Sequence, residues 1–247
     1  TLLLIHCIPV WGYLWKDCIN ELKKKYRVII PDLIGYGYSD KRDCFDRAVT
    51  AQASIIKKLL TDLEISEYYV VGHDIGGAVA QQFTVNNQNT VKKLILMDSV
   101  LYDSWPAEPM VKLGNPVQHY RIKDDQLAKK FIERLPQGIH HKEVATEEML
   151  QGWMAPYMTD EGKLSLIRNA AALNTNHTME LLEDFRKMSI PILLLWGELD
   201  QFQPIMTAKK FLNEMPNTSL ISIIDSDHFL PLERPDEVVK NIIDFCK

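Results

Sequence analysis

One aspartate, Asp74, stands where its carboxylate could act as a nucleophile. It follows an apolar, β-rich run that begins at Tyr68, and the residues after it, 78–83, are typical of a helix. A sharp turn between a strand and a helix pushes the side chain at its tip out above the sheet and leaves little room for neighbouring Cβ atoms. Gly72 and Gly76 provide that room. A carboxylate is already ionised and needs no base, so this one suits attack on saturated carbon better than attack on an ester.

Alternating strands and helices supply the frame for this turn. Strands are predicted at residues 1–5, 27–30, 68–71, 94–97, 191–196 and 220–224, and the first two are predicted to be buried. The alternation predicts an α/β fold: a mostly parallel sheet with right-handed crossovers and helices on both faces. From residue 99 to 187 it stops, and helical patterns are broken by Pro, Gly and Asn. We therefore expect a core domain of 1–98 and 188–247, with an inserted helical lid at 99–187.

The composition limits the classes of function. The chain has 247 residues, of which 46% are hydrophobic and 25% charged, enough for one domain with a sizeable core. A net charge of -5 gives no basic footprint for nucleic acid, and no segment resembles a membrane span or a signal peptide. We expect a small-molecule substrate as the partner, no nucleic acid or membrane, and a monomer or homodimer.

Cysteine usage indicates the compartment. The four cysteines show neither a CxxC pair nor metal-ligand spacing; they are Cys7, Cys18, Cys44 and Cys246. Free thiols of this kind are typical of a reducing environment. The sequence therefore predicts a cytoplasmic protein.

Five motifs, in chain order, resemble the signatures of the α/β-hydrolase family. They are HCIP (6–9), PDLIGYGYSDK (31–41), GHDIGG (72–77), WGELD (196–200) and DHF (227–229). The resemblance covers the predicted sheet domain. The chain is similar in particular to the members with an aspartate nucleophile: haloalkane dehalogenases, haloacetate dehalogenases and epoxide hydrolases. Members usually carry a β-hairpin before the first strand, so we expect that the chain lacks its natural N-terminal segment.

The resemblance implies a catalytic triad of Asp74, Asp200 and His228. Asp74 stands where the family usually has serine, and His228 follows the last strand. Asp200, in WGELD, holds the place of the acid that orients the histidine. Asp98, at the end of an earlier strand, is the rival acid, because some dehalogenases keep theirs there.

The family likeness also implies an oxyanion hole made of the backbone N–H groups of Ile75 and Ile8. Cys7 stands where the family usually has glycine, so the loop that carries Ile8 could take a different path. The chemistry requires no metal and no organic cofactor. We expect His6 and His73 to support their loops by hydrogen bonds rather than to react.

The leaving group separates the candidate activities. Haloalkane dehalogenases have tryptophan directly after the nucleophile and often asparagine in the first loop, where this chain has Ile75 and Ile8. Haloacetate dehalogenases place arginines in the elbow region, where it has Ile75 and Ala78. Epoxide hydrolases tolerate an apolar residue where Ile8 stands, although they too commonly have tryptophan where Ile75 stands. We favour an epoxide on a small, mostly apolar substrate, with a haloalkane or haloacetate as the alternative. An ester or lactone hydrolase and a non-catalytic ligand-binding protein also remain open.

Aromatic residues of the lid and the first loop are candidates for the substrate pocket. They are Trp11, Tyr102, Trp105, Tyr120, Trp153 and Tyr157. The tyrosines could protonate a leaving oxygen, as lid tyrosines do in epoxide hydrolases, and the tryptophans could offer an indole N–H to a leaving halide. Any of them could instead pack the lid against the sheet.

Overall fold

The computed structural model describes residues 1–122 and 125–247. Within these residues, six strands form one sheet: β1 (Leu2–Ile5), β2 (Val28–Ile29), β3 (Tyr68–His73), β4 (Val91–Met97), β5 (Ile192–Gly197) and β6 (Thr218–Ile223). Their order across the sheet is β2-β1-β3-β4-β5-β6, and all neighbours are parallel. The predicted α/β fold is thus confirmed, with a sheet that is parallel throughout its described strands.

The helices follow the strands as the alternation predicts. They are α1 (Ile19–Leu22), α2 (Val49–Asp62), α3 (Ile75–Asn86), α4 (Glu108–Leu113), α5 (Gln118–Arg121), α6 (Gln126–Arg134), α7 (Glu147–Met154), α8 (Asp160–Ala171), α9 (Asn176–Met179), α10 (Leu182–Lys187), α11 (Ile205–Glu214), α12 (Leu230–Glu233) and α13 (Pro235–Phe245). Short 3-10 helices lie at Gly12–Trp15, Leu135–Gly138, Lys142–Val144 and Ala155–Tyr157. No helix of the described residues is both long and apolar enough to cross a membrane.

The core lies on both faces of the sheet. Leu2 and Leu4 of β1 belong to one hydrophobic cluster and Leu3 and Ile5 to the other, because successive side chains of a strand point to opposite faces. The first cluster is completed by α13 and by helices of the segment 99–187, and the second by α2, α3 and α11. Because helices cover both faces of the sheet, the central strands are apolar on both sides and form continuous apolar runs in the sequence.

The segment 99–187 carries α4 to α10 and connects β4 to β5. Its last helix packs onto the sheet domain, where Phe185 lies edge-on to Phe211 at a ring-centroid distance of 5.5 Å. We propose that 99–187 is the inserted lid and that 1–98 and 188–247 form the core domain. The carboxyl ends of β1, β3, β4 and β5 all open toward one edge of the sheet, which is where ligands of parallel sheets bind.

Candidate active site

Asp74 occupies a sharp turn between β3 and α3. Its φ of 51° and ψ of -119° lie in a region that side-chain-bearing residues rarely adopt. A Cβ on Gly72 would collide with the Gly76 carbonyl, and a Cβ on Gly76 would collide with the carbonyls of Ile5 and His6. The two glycines therefore allow α3 to start directly against the end of β1, with the Asp74 side chain at the tip of the turn.

The Asp74 carboxylate is buried and held by backbone donors. The Ile8 N–H donates to Oδ2 at 3.2 Å, and the Ile75 N–H is close enough to lower the pKa of the carboxyl. Burial raises the pKa of Asp74 above its ordinary value, while the charge of His228 and the two N–H groups oppose that rise. The two N–H groups that the resemblance implies as an oxyanion hole thus meet at one carboxylate.

His228 lies between β6 and α12 and pairs with Asp200. Its Nδ1 is 3.0 Å from Asp200 Oδ2, and both side chains are almost fully buried. Asp200 Oδ1 accepts hydrogen bonds from the N–H groups of Phe202 and Gln203, at 2.8 and 2.9 Å. Since the carboxylate accepts, Nδ1 of the neutral imidazole carries the proton. The Nε2 lone pair is then free to take a proton from water.

Charges around His228 favour its protonated form. Burial lowers the pKa of His228, but the charge and hydrogen bond of Asp200, followed by the charges of Asp74 and Asp227, outweigh burial and raise it above the ordinary 6.5. In Asp227, Oδ1 accepts the Gln201 N–H at 3.1 Å and Oδ2 accepts the Gln201 side-chain amide at 3.0 Å. Asp200 is therefore the carboxylate that contacts the His228 ring.

Asp98, the alternative candidate for the acid that orients His228, has different hydrogen-bond partners from Asp200. It directly follows β4, has a φ of 40° and is fully buried. Its Oδ1 accepts the Gly197 N–H at 2.7 Å, and its Oδ2 is buried without a hydrogen-bond donor among the described residues. The structure thus places Asp98 behind Asp200, away from a direct bond to His228.

The two other histidines near the turn act as predicted, through hydrogen bonds. His6 Nε2 accepts the Leu33 N–H at 2.9 Å, while its Nδ1 donates to the Cys7 carbonyl at 2.9 Å. His73 Nε2 donates to the His228 carbonyl at 2.7 Å. All four cysteines are free, and Cys7 is fully buried beside the Ile8 loop.

The structure does not bring Tyr120 or Tyr102 to the site. Tyr120 is 90% exposed. The Tyr102 hydroxyl donates to Glu214 Oε2 at 3.0 Å, and its ring lies below Lys210, whose Nζ is 4.1 Å from the ring centroid. Tyr102 lies in the loop between β4 and α4 with a φ of 52°, and its hydroxyl is directed to Glu214 of α11. Tyr120 in α5 faces solvent.

Two tryptophan candidates have their N–H groups engaged. The Trp11 indole donates to the Gly152 carbonyl at 3.2 Å and joins the first loop to α7. The Trp105 indole donates to Thr178 Oγ1 at 2.8 Å. In this conformation both residues hold the segment 99–187 in place, and neither has a free N–H for a ligand.

Trp153 lies near the histidine, and Tyr157 lies in the same hydrophobic cluster. They share a hydrophobic cluster with Cys7 and Phe229. Trp153 packs on Phe229 with ring centroids 4.8 Å apart, and Phe229 packs on His228 at 5.1 Å. The Trp153 N–H is buried and has no acceptor among the described residues. The fully buried Tyr157 accepts the Gly37 N–H at 3.2 Å, which leaves its own hydroxyl proton free.

One contact of the site could not be found by sequence reasoning. The Phe202 ring lies edge-on to the His228 ring, with centroids 5.1 Å apart. The only sequence signal is its place two residues after Asp200. Its backbone N–H bonds the Asp200 carboxylate, so the same turn supplies both a donor to the acid and a wall for the imidazole.

Comparison with known proteins identifies the family. A family model described as alpha/beta hydrolase fold matches residues 1–139, more than half of the chain. The chain belongs to the α/β-hydrolase family. This α/β hydrolase is 28% identical to the uncharacterized hydrolase YugF of Bacillus subtilis, over 100% of this chain and 90% of that protein.

Two further relatives carry an assigned activity in their names. Haloalkane dehalogenase 2 of Mycobacterium tuberculosis is 25% identical over 98% of this chain and 86% of its own length. Epoxide hydrolase 4 of Homo sapiens is 27% identical over 100% of this chain and 72% of its own length. Among solved structures, an alpha/beta hydrolase fold protein from Burkholderia ambifaria covers 99% of this chain and 90% of its own, with a TM-score of 0.90 at 21% identity. That likeness shows the shared fold.

Proposed function

We propose that this α/β hydrolase uses Asp74 as a nucleophile on saturated carbon and His228 to activate the water that hydrolyses the resulting ester. The observation that carries the proposal is the position of the Asp74 carboxylate, at the tip of a positive-φ turn with the Ile8 N–H on one oxygen. The other oxygen is then available to attack. A serine at this position would need a base for that step, whereas a carboxylate does not.

In the second step, water attacks the carbonyl carbon of the Asp74 ester, and its proton passes to His228 Nε2. Asp200 holds the imidazole through Nδ1 and stabilises the imidazolium that forms. Negative charge returns to the oxygen that faces the Ile8 and Ile75 N–H groups, which are already directed at the carboxylate. Donors fixed before the charge develops cost no reorganisation when it does.

An epoxide is the substrate class that we favour, because Tyr157 has a hydroxyl proton to give. Its oxygen accepts the Gly37 N–H, and burial raises the pKa of Tyr157, so the phenol stays protonated at neutral pH. Attack by Asp74 breaks one ring C–O bond, and the freed oxygen takes the Tyr157 proton. Hydrolysis then gives the diol: one proton of the water completes the new hydroxyl, and the other returns to Tyr157. The likeness to epoxide hydrolase 4 supports this choice.

A haloalkane is the second candidate, and Trp153 favours it. Its buried N–H lacks an acceptor among the described residues and lies one ring away from His228. A leaving halide needs such a donor. A buried N–H without an acceptor lowers the stability of a protein, so an acceptor supplied by a ligand would be favourable. The likeness to haloalkane dehalogenase 2 supports this alternative.

A turnover screen separates these activities. Styrene oxide, a bromoalkane, fluoroacetate and a short ester are offered side by side to wild type, Tyr157→Phe and Trp153→Phe. We expect diol from styrene oxide, a large loss in Tyr157→Phe and a smaller one in Trp153→Phe. Bromide release that depends on Trp153, without diol formation, would replace the epoxide by a haloalkane. Turnover of the ester alone would overturn the alkyl-enzyme mechanism, and no turnover of any substrate class would favour a binding protein.

A further inference from the structure

Asp98 is a buried carboxyl that the proposed reaction does not use. Its backbone N–H donates to the Leu195 carbonyl at 3.1 Å, and its Oδ1 accepts the Gly197 N–H at 2.7 Å, which fixes the side chain between the ends of β4 and β5. Its Oδ2 is buried and receives no hydrogen bond from the described residues. A buried carboxylate oxygen without a donor is costly, so this atom needs an explanation.

Asp98 and Asp200 both bond Gly197: its N–H donates to Asp98 Oδ1 at 2.7 Å, and its carbonyl accepts the Asp200 N–H at 3.2 Å. The Asp200 carboxyl is a neighbour of the Asp98 carboxyl that acts on its pKa both by charge and by hydrogen bonding. Two ionised carboxylates in such contact repel strongly when water is excluded, and pairs of this kind hold a proton between them. The donors decide which residue keeps it. Asp200 accepts the N–H groups of Phe202 and Gln203 and the ring N–H of His228, whereas Asp98 accepts one N–H, that of Gly197.

Three donors stabilise the ionised form of Asp200 far more than one donor stabilises that of Asp98. We propose that Asp98 is a positioning residue whose carboxyl stays protonated and donates its O–H to the Asp200 carboxylate. The bond gives the buried Oδ2 of Asp98 a partner and gives Asp200 a fourth donor. This inference rests on the proposed role of Asp200 as the acid that orients His228.

The charges that face Asp98 agree with this assignment. Burial raises the pKa of Asp98 well above its ordinary value, the negative charge of Asp200 adds to that rise and Asp227 adds a smaller contribution, while only the Gly197 N–H opposes them. A neutral Asp98 also adds no second negative charge behind the imidazole. The charged groups that raise the pKa of His228 are the carboxylates of Asp200, Asp74 and Asp227, and the neighbouring His73 ring is kept neutral by burial.

A protonated Asp98 behind Asp200 should limit the pKa of His228. The Asp98 O–H draws part of the Asp200 charge away from the ring N–H, so it limits how strongly the imidazolium is stabilised. Without this bond, more of that charge would face His228, its pKa would rise further, and less neutral base would be present at neutral pH. Asp200 would also lose one of the bonds that hold its orientation.

Infrared spectroscopy of the intact protein tests the protonation directly. At neutral pH, wild type should show the C=O stretch of a buried, protonated carboxylic acid, and the band should be absent from Asp98→Asn. The absence of that band from wild type, or its persistence in Asp98→Asn, would overturn the proposal. This measurement does not depend on the reaction. If the carboxylic acid band is present but no substrate adduct forms on Asp74, the proposed function is wrong and the protonation of Asp98 is still supported.

Turnover and its pH profile test the positioning role. An asparagine at 98 can accept from Gly197 through its oxygen and donate to Asp200 through its amide, so Asp98→Asn should stay within about threefold of wild type with an unchanged acid limb. Asp98→Ala should lose about tenfold or more in kcat, with little change in KM, and its acid limb should move to higher pH.

The asparagine variant also serves as the control for folding, because it keeps the shape of the side chain. Should Asp98→Asn lose as much activity as Asp200→Asn, Asp98 would be an ionised acid and the proposal would be wrong. Should Asp98→Ala keep both the kcat and the pH profile of wild type, the positioning role would be wrong.

Discussion

The side chain of His73 holds the backbone of His228: its Nε2–H donates to the His228 carbonyl at 2.7 Å. A carbonyl oxygen only accepts, so the proton of the neutral imidazole is on Nε2, and Nδ1 is left bare. Burial lowers the pKa of His73 well below its ordinary value, which keeps the ring in this neutral form. The residue before the proposed nucleophile thus fixes the position of the proposed base.

Loss of this bond should cost both stability and rate. His73→Phe fills the same space but leaves the buried His228 carbonyl without a donor, so we expect a loss of about 1–3 kcal/mol in the free energy of unfolding and a lower kcat. His73→Gln retains a side-chain N–H and should lose less of both. Urea unfolding and steady-state turnover measure the two effects. Equal behaviour of both variants would show that the hydrogen bond is unimportant.

The His228 pKa should respond to its neighbours in a defined direction. Burial lowers it and the nearby carboxylates raise it to a net value above 6.5, so NMR titration of the free protein should find its midpoint above that value. Asp200→Asn and Asp74→Asn each remove a negative charge and should move the midpoint down. Because an imidazolium cannot take a proton from water, hydrolysis of the ester should slow as the pH falls through the His228 midpoint of the ester intermediate, which lies below that of the free protein because the esterified Asp74 carries no charge. A wild-type midpoint below 6.5 would contradict these electrostatics.

Asp200 should matter far more than the neighbouring Asp227. Asp200→Asn removes the charge that stabilises the imidazolium and can impose the wrong tautomer, so ester hydrolysis should fall by several orders of magnitude, about 10⁴-fold at most. Asp227 bonds Gln201 and the His228 backbone N–H rather than the ring, so Asp227→Asn is the matched control. Single-turnover kinetics of the second step compare them. A larger effect in Asp227→Asn would show that the acid is misassigned.

Arg47 should anchor helix α8. Its guanidinium donates to the Ser165 carbonyl and hydroxyl at 2.8 and 2.6 Å, to Asn169 Oδ1 at 2.9 Å and to the Lys41 carbonyl at 2.6 Å. We expect Arg47→Met to lower the free energy of unfolding by about 2 kcal/mol or more and to speed amide exchange in α8. The exposed Arg42, replaced in the same way, should change neither measurably. Unchanged exchange in Arg47→Met would argue against the anchor.

Much of the fold and the turn at Asp74 could be predicted because they depend on local patterns. Apolar runs mark the central strands, and the spacing of Gly72, Asp74 and Gly76 marks a turn that only glycines allow. The predicted strand at 27–30 is wrong in extent: β2 has two residues, Val28 and Ile29, and both are half-buried. It pairs with β1 alone at the edge of the sheet, where burial on both faces is lost.

The side-chain partners within 99–187 could not be predicted, because several short helices fix them through contacts distant in sequence. Tyr120 and Tyr157 look alike as lid tyrosines, yet one is 90% exposed and the other fully buried. The placing of Asp98 beside Asp200 likewise depends on Gly197, which bonds the Asp98 side chain through its N–H and the Asp200 backbone through its carbonyl. Patterns of hydrophobicity carry no information about such polar partners.

The measurement that tests the central claim most directly is mass spectrometry of His228→Gln after incubation with styrene oxide and, separately, a bromoalkane. Without the base for water, the ester on Asp74 should accumulate, and the peptide that contains Asp74 should gain the mass of the substrate or its alkyl group. Asp74→Ala, treated identically, should show no adduct and no turnover while keeping its fold. An unmodified Asp74 peptide in His228→Gln, for a substrate that wild type turns over, would contradict nucleophilic attack by Asp74.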